Sequence, residues 1–110
     1  FYLKEFKNSS LTLPNEKKNL KHVYHLFTLY HPKSSKIINE LERNGIKTRV
    51  IYPYPVHKMK AYKHFSFNKK RLINSEIKSK RIFCLPLYPE LRNEEIKKIC
   101  IKLKLILKKI

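Results

Sequence analysis

Tyr52 and His57 are the side chains of this 110-residue sequence best placed to contact a ligand. They flank residues 53–56, which carry prolines at the first and third positions. Proline fixes the backbone φ angle and cannot extend a strand from its interior, so these residues predict a stiff loop. A loop with restricted backbone freedom holds its side chains at lower entropic cost, and this favours a ligand contact.

The residues before this loop predict the end of a helix followed by a strand. Gly45 is the only glycine in the sequence, and we expect it at a helix C-terminus, where the backbone needs a positive φ. Residues 47–52 are rich in β-branched side chains, as a buried strand is. The helix that ends at Gly45 is expected to begin at Ser34 or Ser35, with serine as the N-cap.

Further strands and helices follow from the spacing of apolar residues. Residues 22–30 alternate with both faces apolar, which predicts a strand inside a sheet, and residues 81–85 predict another strand. Short helices are expected at residues 1–7 and 75–80, and a long one from Asn93. The order predicts an α+β fold in which a small antiparallel or mixed sheet has helices packed on one face.

The charge of the chain is strongly positive. The formal net charge is +18, from 26 Lys and Arg against 8 Asp and Glu, and all eight acids are Glu. Such a charge could mark a polyanion binder, with residues 58–71 as a basic, aromatic nucleic-acid patch or as a solvated loop. Because the lysines are dispersed through every segment, we favour a composition effect and expect no specific nucleic-acid partner.

Metal and membrane sites are not expected. His22 and His25 would point to opposite faces of a strand, which spoils chelation, and we expect His25 to be buried. Cys84 and Cys100 are expected to be buried thiols. No apolar run approaches the roughly 20 residues needed to span a bilayer. We therefore expect no bound metal and no membrane.

Three segments in register resemble one known family. They are HVYHLF at 22–27, GIKTRVIYPYPVH at 45–57 and IFCLPLYPEL at 82–91, with Ala61 and Tyr62 at the expected distance after His57. In this order they resemble the C-terminal part of the DegT/DnrJ/EryC1/StrS family. Its members are pyridoxal-phosphate-dependent (PLP-dependent) aminotransferases that act on nucleotide-linked keto sugars.

The resemblance implies a domain organisation. It makes residues 1–20 the end of an interdomain helix and a linker, and residues 21–110 the C-terminal small domain of a fold-type I aminotransferase. In the family, the large domain carries the lysine that binds PLP and the Asp that pairs with the cofactor's pyridine nitrogen. Because neither motif is present here, we expect the chain to be a fragment, a split subunit or a relict. On its own it is predicted to bind no PLP, to supply no catalytic residue and to be inactive.

The resemblance also implies substrate contacts. The residues that match the family's loop are Tyr52 and His57, which implies contact with the phosphate or sugar of the substrate. Ile51 departs from the family, where a His is common. Arg49 lies on the same strand face and could take over a phosphate contact. The alternative is that Tyr52 packs at a strand end, His57 is a solvated loop residue and Arg49 is a surface residue.

The parent activity implied by the resemblance is amino transfer from glutamate to a nucleotide-linked keto sugar. The Pro-x-Pro-x-His loop looks most like that of members acting on dTDP-linked 3-keto-6-deoxyhexoses. The resemblance further implies a cytoplasmic homodimer that serves surface polysaccharide or amino-sugar biosynthesis, with the large domain as partner of this chain. An inactive truncated relict and a basic nucleic-acid-binding module are the alternatives.

Overall fold

A two-stranded antiparallel sheet that shares one core with the helices forms the centre of the fold. The computed structural model describes residues 1–62, 64–65 and 72–110. Within these residues the elements are α1 (Tyr2–Phe6), β1 (Phe27–Tyr30), α2 (Ser34–Arg43), α3 (Ile73–Ser79), β2 (Ile82–Leu85) and α4 (Asn93–Lys109), with 3₁₀ turns at Val56–Lys58 and Lys60–Tyr62. This arrangement confirms the α+β class. None of the helices in the described ranges is both long and apolar enough to cross a bilayer.

Strand β2 is hydrogen-bonded on both sides. It pairs antiparallel with β1, so that Phe27 lies opposite Leu85 and Tyr30 opposite Ile82. On its other side Cys84 forms an isolated antiparallel bridge with Arg49. A further bridge joins Thr12 to Tyr30 at the outer edge of β1. The sheet therefore reaches beyond its two strands through single bridges.

Two predicted strands are much shorter than the sequence indicates. The strand expected at residues 22–30 begins only at Phe27, because Tyr24 adopts a φ of 48°, which interrupts an extended chain. The backbone N–H of Tyr24 donates instead to His22 Nδ1 at 2.9 Å. The prediction of a buried His25 is wrong, since this residue is exposed. The strand expected at residues 47–52 is reduced to the single bridge at Arg49.

Helix α2 ends at the glycine, as predicted. Gly45 has a φ of +74°, and its N–H donates to the carbonyl of Glu42 at 2.9 Å. The next residue, Ile46, donates to the carbonyl of Leu41, so the last turn of the helix is closed by hydrogen bonds. The start of the helix differs from the prediction. Ser34 lies inside α2, and its hydroxyl donates to the carbonyl of Lys80, not to the helix N-terminus.

One hydrophobic core joins the helices to the sheet. The largest fully buried apolar side chains are Phe6, Phe83, Leu29, Ile37, Leu41 and Leu103. Leu29 and Phe83 lie opposite each other across the two strands. Helix α1 belongs to this core through Tyr2 and Phe6, and the Tyr2 hydroxyl donates to the carbonyl of Pro86 at 3.0 Å. The beginning and the end of the chain are therefore packed together.

Leu103→Ala tests whether α4 is part of this core. Leu103 is 0% exposed, so its truncation leaves a cavity and should lower the free energy of unfolding by about 2–5 kcal/mol. Leu105→Ala on the same helix is the matched control, because Leu105 is 48% exposed and should cost less than about 1 kcal/mol. Urea denaturation of both variants gives the comparison. Equal losses would contradict this packing of α4.

Candidate functional site

Residues 49–57, here called the proline loop, run from the sheet edge to a buried histidine. The loop is fixed at its first residue by two backbone hydrogen bonds. The N–H of Arg49 donates to the Cys84 carbonyl at 3.1 Å, and the N–H of Cys84 donates to the Arg49 carbonyl at 2.8 Å. After Pro55 the chain enters the 3₁₀ turn, in which Lys58 N–H donates to the Pro55 carbonyl at 2.8 Å.

His57, at the other end of the proline loop, is enclosed by protein. It is 4% exposed, and its Nε2 lies 3.1 Å from Oε1 of Glu76 on α3. Lys58 Nζ lies 3.8 Å from the same carboxylate oxygen. The alternative of a solvated His57 is therefore wrong. No pattern in the sequence pointed to Glu76, because the two partners are 19 residues apart and belong to no common motif.

Tyr52 lies between these two ends and points away from the core. Its side chain is 73% exposed, and its φ is +53°. An aromatic residue in this left-handed region is a backbone outlier, and the conformation persists only where surrounding contacts hold it. The proline loop also exposes Val50, Tyr54 and Val56, by 42, 67 and 58%. Four large side chains of the proline loop, at positions 50, 52, 54 and 56, are therefore exposed.

Arg49 faces a different part of the surface. It lines a concavity of about 820 Å³ together with Lys47, Lys98 and Tyr88. The one carboxylate among the lining residues belongs to Glu95, and the backbone N–H and guanidinium of Arg92 hold the pKa of this carboxyl below its usual range. The charged rim is therefore mainly basic. Tyr52 and His57 do not line this concavity, so the three predicted residues share one loop but not one pocket.

The described residues do not fit pyridoxal phosphate. An amine that forms an imine with a cofactor is normally activated by a desolvated environment, yet no lysine in the described ranges is buried. The sequence contains no Asp to pair with a pyridine nitrogen. Cys100 offers no nucleophile, because burial, with a smaller effect from Glu5, raises its pKa to about 11. No group of side chains that could hold a metal ion was found in the part of the chain described.

The basic run expected at residues 58–71 is only partly covered by the structure. Residues 58, 60–62, 64 and 65 are exposed, and Tyr62 and Phe65 have ring centroids 6.0 Å apart. Residues 63 and 66–71 lie outside the described residues. The expectation of a nucleic-acid patch or a solvated loop there stays a prediction.

Replacing Tyr52 by glycine tests the backbone outlier in the proline loop. Glycine adopts a positive φ without steric penalty, and little burial is lost, so Tyr52→Gly should raise the free energy of unfolding by about 0.5–1 kcal/mol. Tyr54→Gly is the matched control. Tyr54 is similarly exposed but has an ordinary φ, so glycine should destabilise there by about 0.5–1 kcal/mol. Thermal unfolding of both variants decides, and a loss of stability in Tyr52→Gly would contradict the strained conformation.

Comparison with known proteins finds one protein family that matches most of the chain. The DegT/DnrJ/EryC1/StrS aminotransferase family profile matches residues 1–104. The chain is 32% identical over 102 residues to the dTDP-3-amino-3,6-dideoxy-α-D-galactopyranose transaminase of Aneurinibacillus thermoaerophilus, covering 90% of this chain and 27% of that protein. It is 30% identical over 93 residues to a pleiotropic regulatory protein of Geobacillus stearothermophilus, covering 84% of this chain and 25% of the relative.

Solved structures of longer proteins contain the same fold in part of their chain. The S. venezuelae protein DesV, solved in complex with a ketimine intermediate, superposes with a TM-score of 0.91 at 24% identity. The superposition covers 99% of this chain and 30% of DesV. The chain thus spans between 25 and 30% of the length of these proteins. Because the family match covers residues 1–104, this chain belongs to the DegT/DnrJ/EryC1/StrS aminotransferase family.

Proposed function

We propose that the chain is the C-terminal part of an aminotransferase that moves an amino group from glutamate to a nucleotide-linked keto sugar. The observation that carries this proposal is the family match over residues 1–104. The similarity to the A. thermoaerophilus transaminase, whose name specifies a dTDP-linked 3-amino-3,6-dideoxy sugar, favours a dTDP-3-keto-6-deoxyhexose as the acceptor.

In this proposal the chain binds substrate and the rest of the enzyme performs the amino transfer. The absence of a buried lysine in the described ranges, and of any Asp in the sequence, supports a cofactor held elsewhere, by a large PLP-binding domain. The four large exposed side chains of the proline loop support a second surface that covers them, since large apolar groups left exposed close together in a chain can mark an interaction site. We propose that the large domain, within a homodimer, provides that surface.

Tyr52 and Arg49 are the proposed direct contacts to the nucleotide sugar. The Tyr52 side chain is exposed on the loop, and the Arg49 guanidinium can bind a phosphate through two parallel hydrogen bonds. His57 was expected from the family resemblance to contact substrate as well. Because it is 4% exposed and its Nε2 pairs with Glu76, we propose that its part in substrate binding is indirect.

A cytoplasmic role in surface polysaccharide or amino-sugar biosynthesis belongs to the same proposal. Cys84 and Cys100 are both buried free thiols, which suits a reducing compartment. Two alternatives make different predictions. An inactive relict would have the fold without supporting turnover, and a nucleic-acid-binding module would show a sequence preference that survives added salt.

A chimaera tests the proposed function directly. The C-terminal segment of the A. thermoaerophilus transaminase that this chain matches is replaced by the present 110 residues. We expect the purified chimaera to aminate a dTDP-linked 3-keto sugar with glutamate, since the fold and the proline loop are retained. The measurement is product formation by chromatography. The same transaminase without the segment is the negative control, and a folded, PLP-loaded chimaera without turnover would favour the relict.

Side-chain changes in the chimaera test the two direct contacts. Arg49→Met and Tyr52→Phe should each lower kcat/KM for the sugar nucleotide. The loss should correspond to about 1–3 kcal/mol of transition-state stabilisation, because each change removes a hydrogen bond to substrate. Arg43→Met and Tyr54→Phe are matched controls, because both side chains are exposed and neither lines the concavity, and they should change kcat/KM much less. Glutamate-driven formation of the aminated cofactor should be unaffected, because it does not use the nucleotide. Equal effects in test and control variants would show that the loop is only structural.

A further inference from the structure

Both ends of the proline loop are fastened to one continuous segment, residues 73–85. The start is held by the backbone pair between Arg49 and Cys84, at 2.8 and 3.1 Å. The end is held by the side chain of Glu76, whose Oε1 lies 3.1 Å from His57 Nε2. Glu76 lies on α3, which leads within three residues into β2, where Cys84 lies. Both anchors therefore lie on one short helix–turn–strand segment.

The loop between these anchors needs such support. Tyr52 adopts a φ of +53°, a conformation that is unfavourable for an aromatic residue by about 1–2 kcal/mol. The side chains at positions 50, 52, 54 and 56 are all exposed, so they provide little packing within the described residues to hold the loop. The buried side chain at the end of the loop is His57. Among the described residues, its contact with Glu76 is therefore the tertiary side-chain interaction that holds this end.

We propose that Glu76 is a positioning residue for substrate binding, acting through His57. An imidazole N–H donating to a carboxylate is a charge-assisted hydrogen bond, which is stronger and more directional than a neutral one. Burial of His57 removes competing water, so the ring orientation is fixed by its partner. Fixing His57 fixes the end of the proline loop and hence the direction in which Tyr52 is presented. This inference rests on the proposed function, because it assigns Glu76 to the same nucleotide-sugar site.

The contact between Glu76 and Lys58 is too weak to anchor the proline loop. Its Nζ lies 3.8 Å from the Glu76 carboxylate, and its side chain is 46% exposed. An ion pair of this length at the surface contributes little, because water and salt screen it. Lys58→Met therefore tests how much this neighbouring cation contributes, with the contact between Glu76 and His57 left in place.

Hydrogen exchange on the 110-residue chain tests the anchor without any activity assay. The amides of Lys58 and Met59 donate to the carbonyls of Pro55 and Val56 in the 3₁₀ turn that follows the loop. In Glu76→Ala they should exchange about tenfold faster, because the turn loses its tertiary anchor. Glu76→Gln keeps an acceptor oxygen for Nε2–H and should restore most of the protection.

A control variant isolates this effect from a general loss of stability. Glu40→Ala removes a surface ion pair, in which Arg43 lies 2.6 Å from the Glu40 carboxylate on α2. Its exchange at Lys58 and Met59 should equal that of the unaltered chain. Unchanged exchange in Glu76→Ala, or an equal increase in Lys58→Met, would overturn the proposed anchor.

The chimaera gives the second readout, which a merely structural role would not produce. Glu76→Ala should raise KM for the sugar nucleotide about tenfold with kcat altered less than about threefold, since it disorders a binding loop and not the reacting groups. Glu76→Gln should bring KM most of the way back. If the chimaera is active and its KM is unchanged by Glu76→Ala, the positioning role alone is overturned. An unaltered chimaera that is folded and PLP-loaded but inactive would overturn the proposed function, and the positioning role in substrate binding with it.

Discussion

The segment of residues 73–85 constrains the rest of this small fold. Its second half, β2, pairs with β1 on one side and with Arg49 on the other, while Phe83 is fully buried in the core. Its first half, α3, supplies the carboxylate that meets His57. The same piece of chain thus forms the centre of the sheet and holds both ends of the proline loop. The proposed positioning role of Glu76 depends on this shared segment, because both anchors of the loop lie on it.

The chain combines a buried apolar core with a proline loop whose large side chains are exposed. Helices α1, α2 and α4 bury their apolar side chains with the sheet, and the beginning of the chain contacts its second half through Tyr2 and Pro86. The proline loop does the opposite, because it exposes side chains as large as Tyr52 and Tyr54. Proline and a left-handed residue stiffen a loop but do not bury it. A stiff, exposed, partly apolar loop suits the proposed contact with a large domain and a bound nucleotide sugar.

The sequence predicted the helices better than the strands, for local reasons. Gly45 ends α2 because glycine adopts the required positive φ without steric cost, and α4 follows from apolar residues at helical spacing. The prediction of a strand at 22–30 was wrong before Phe27, because Tyr24 has a positive φ that its strand propensity does not indicate. The segment at 47–52 has strand composition, yet pairs only at Arg49. Propensity describes single residues, whereas pairing depends on the partner strand.

The candidate site was predictable only in part. The family motifs located the proline loop, and the exposure of Tyr52 agrees with an available side chain. They gave no indication that His57 is buried against Glu76, since that pairing depends on how α3 packs. They also gave no indication that Arg49 faces a basic concavity beside Lys47 and Lys98. Contacts between segments distant in sequence produce no local sequence pattern, so they could not be predicted from it.

A crystal structure of the chimaera with a bound dTDP-linked sugar tests the central claim most directly. The quantity to measure is the distance from the Tyr52 hydroxyl and the Arg49 guanidinium to the nearest ligand oxygen. If the proline loop forms part of the substrate site, at least one of these distances should be about 3 Å, the length of a hydrogen bond. A ligand bound in the active site with both groups more than about 6 Å away, beyond direct or single-water contact, would contradict this account.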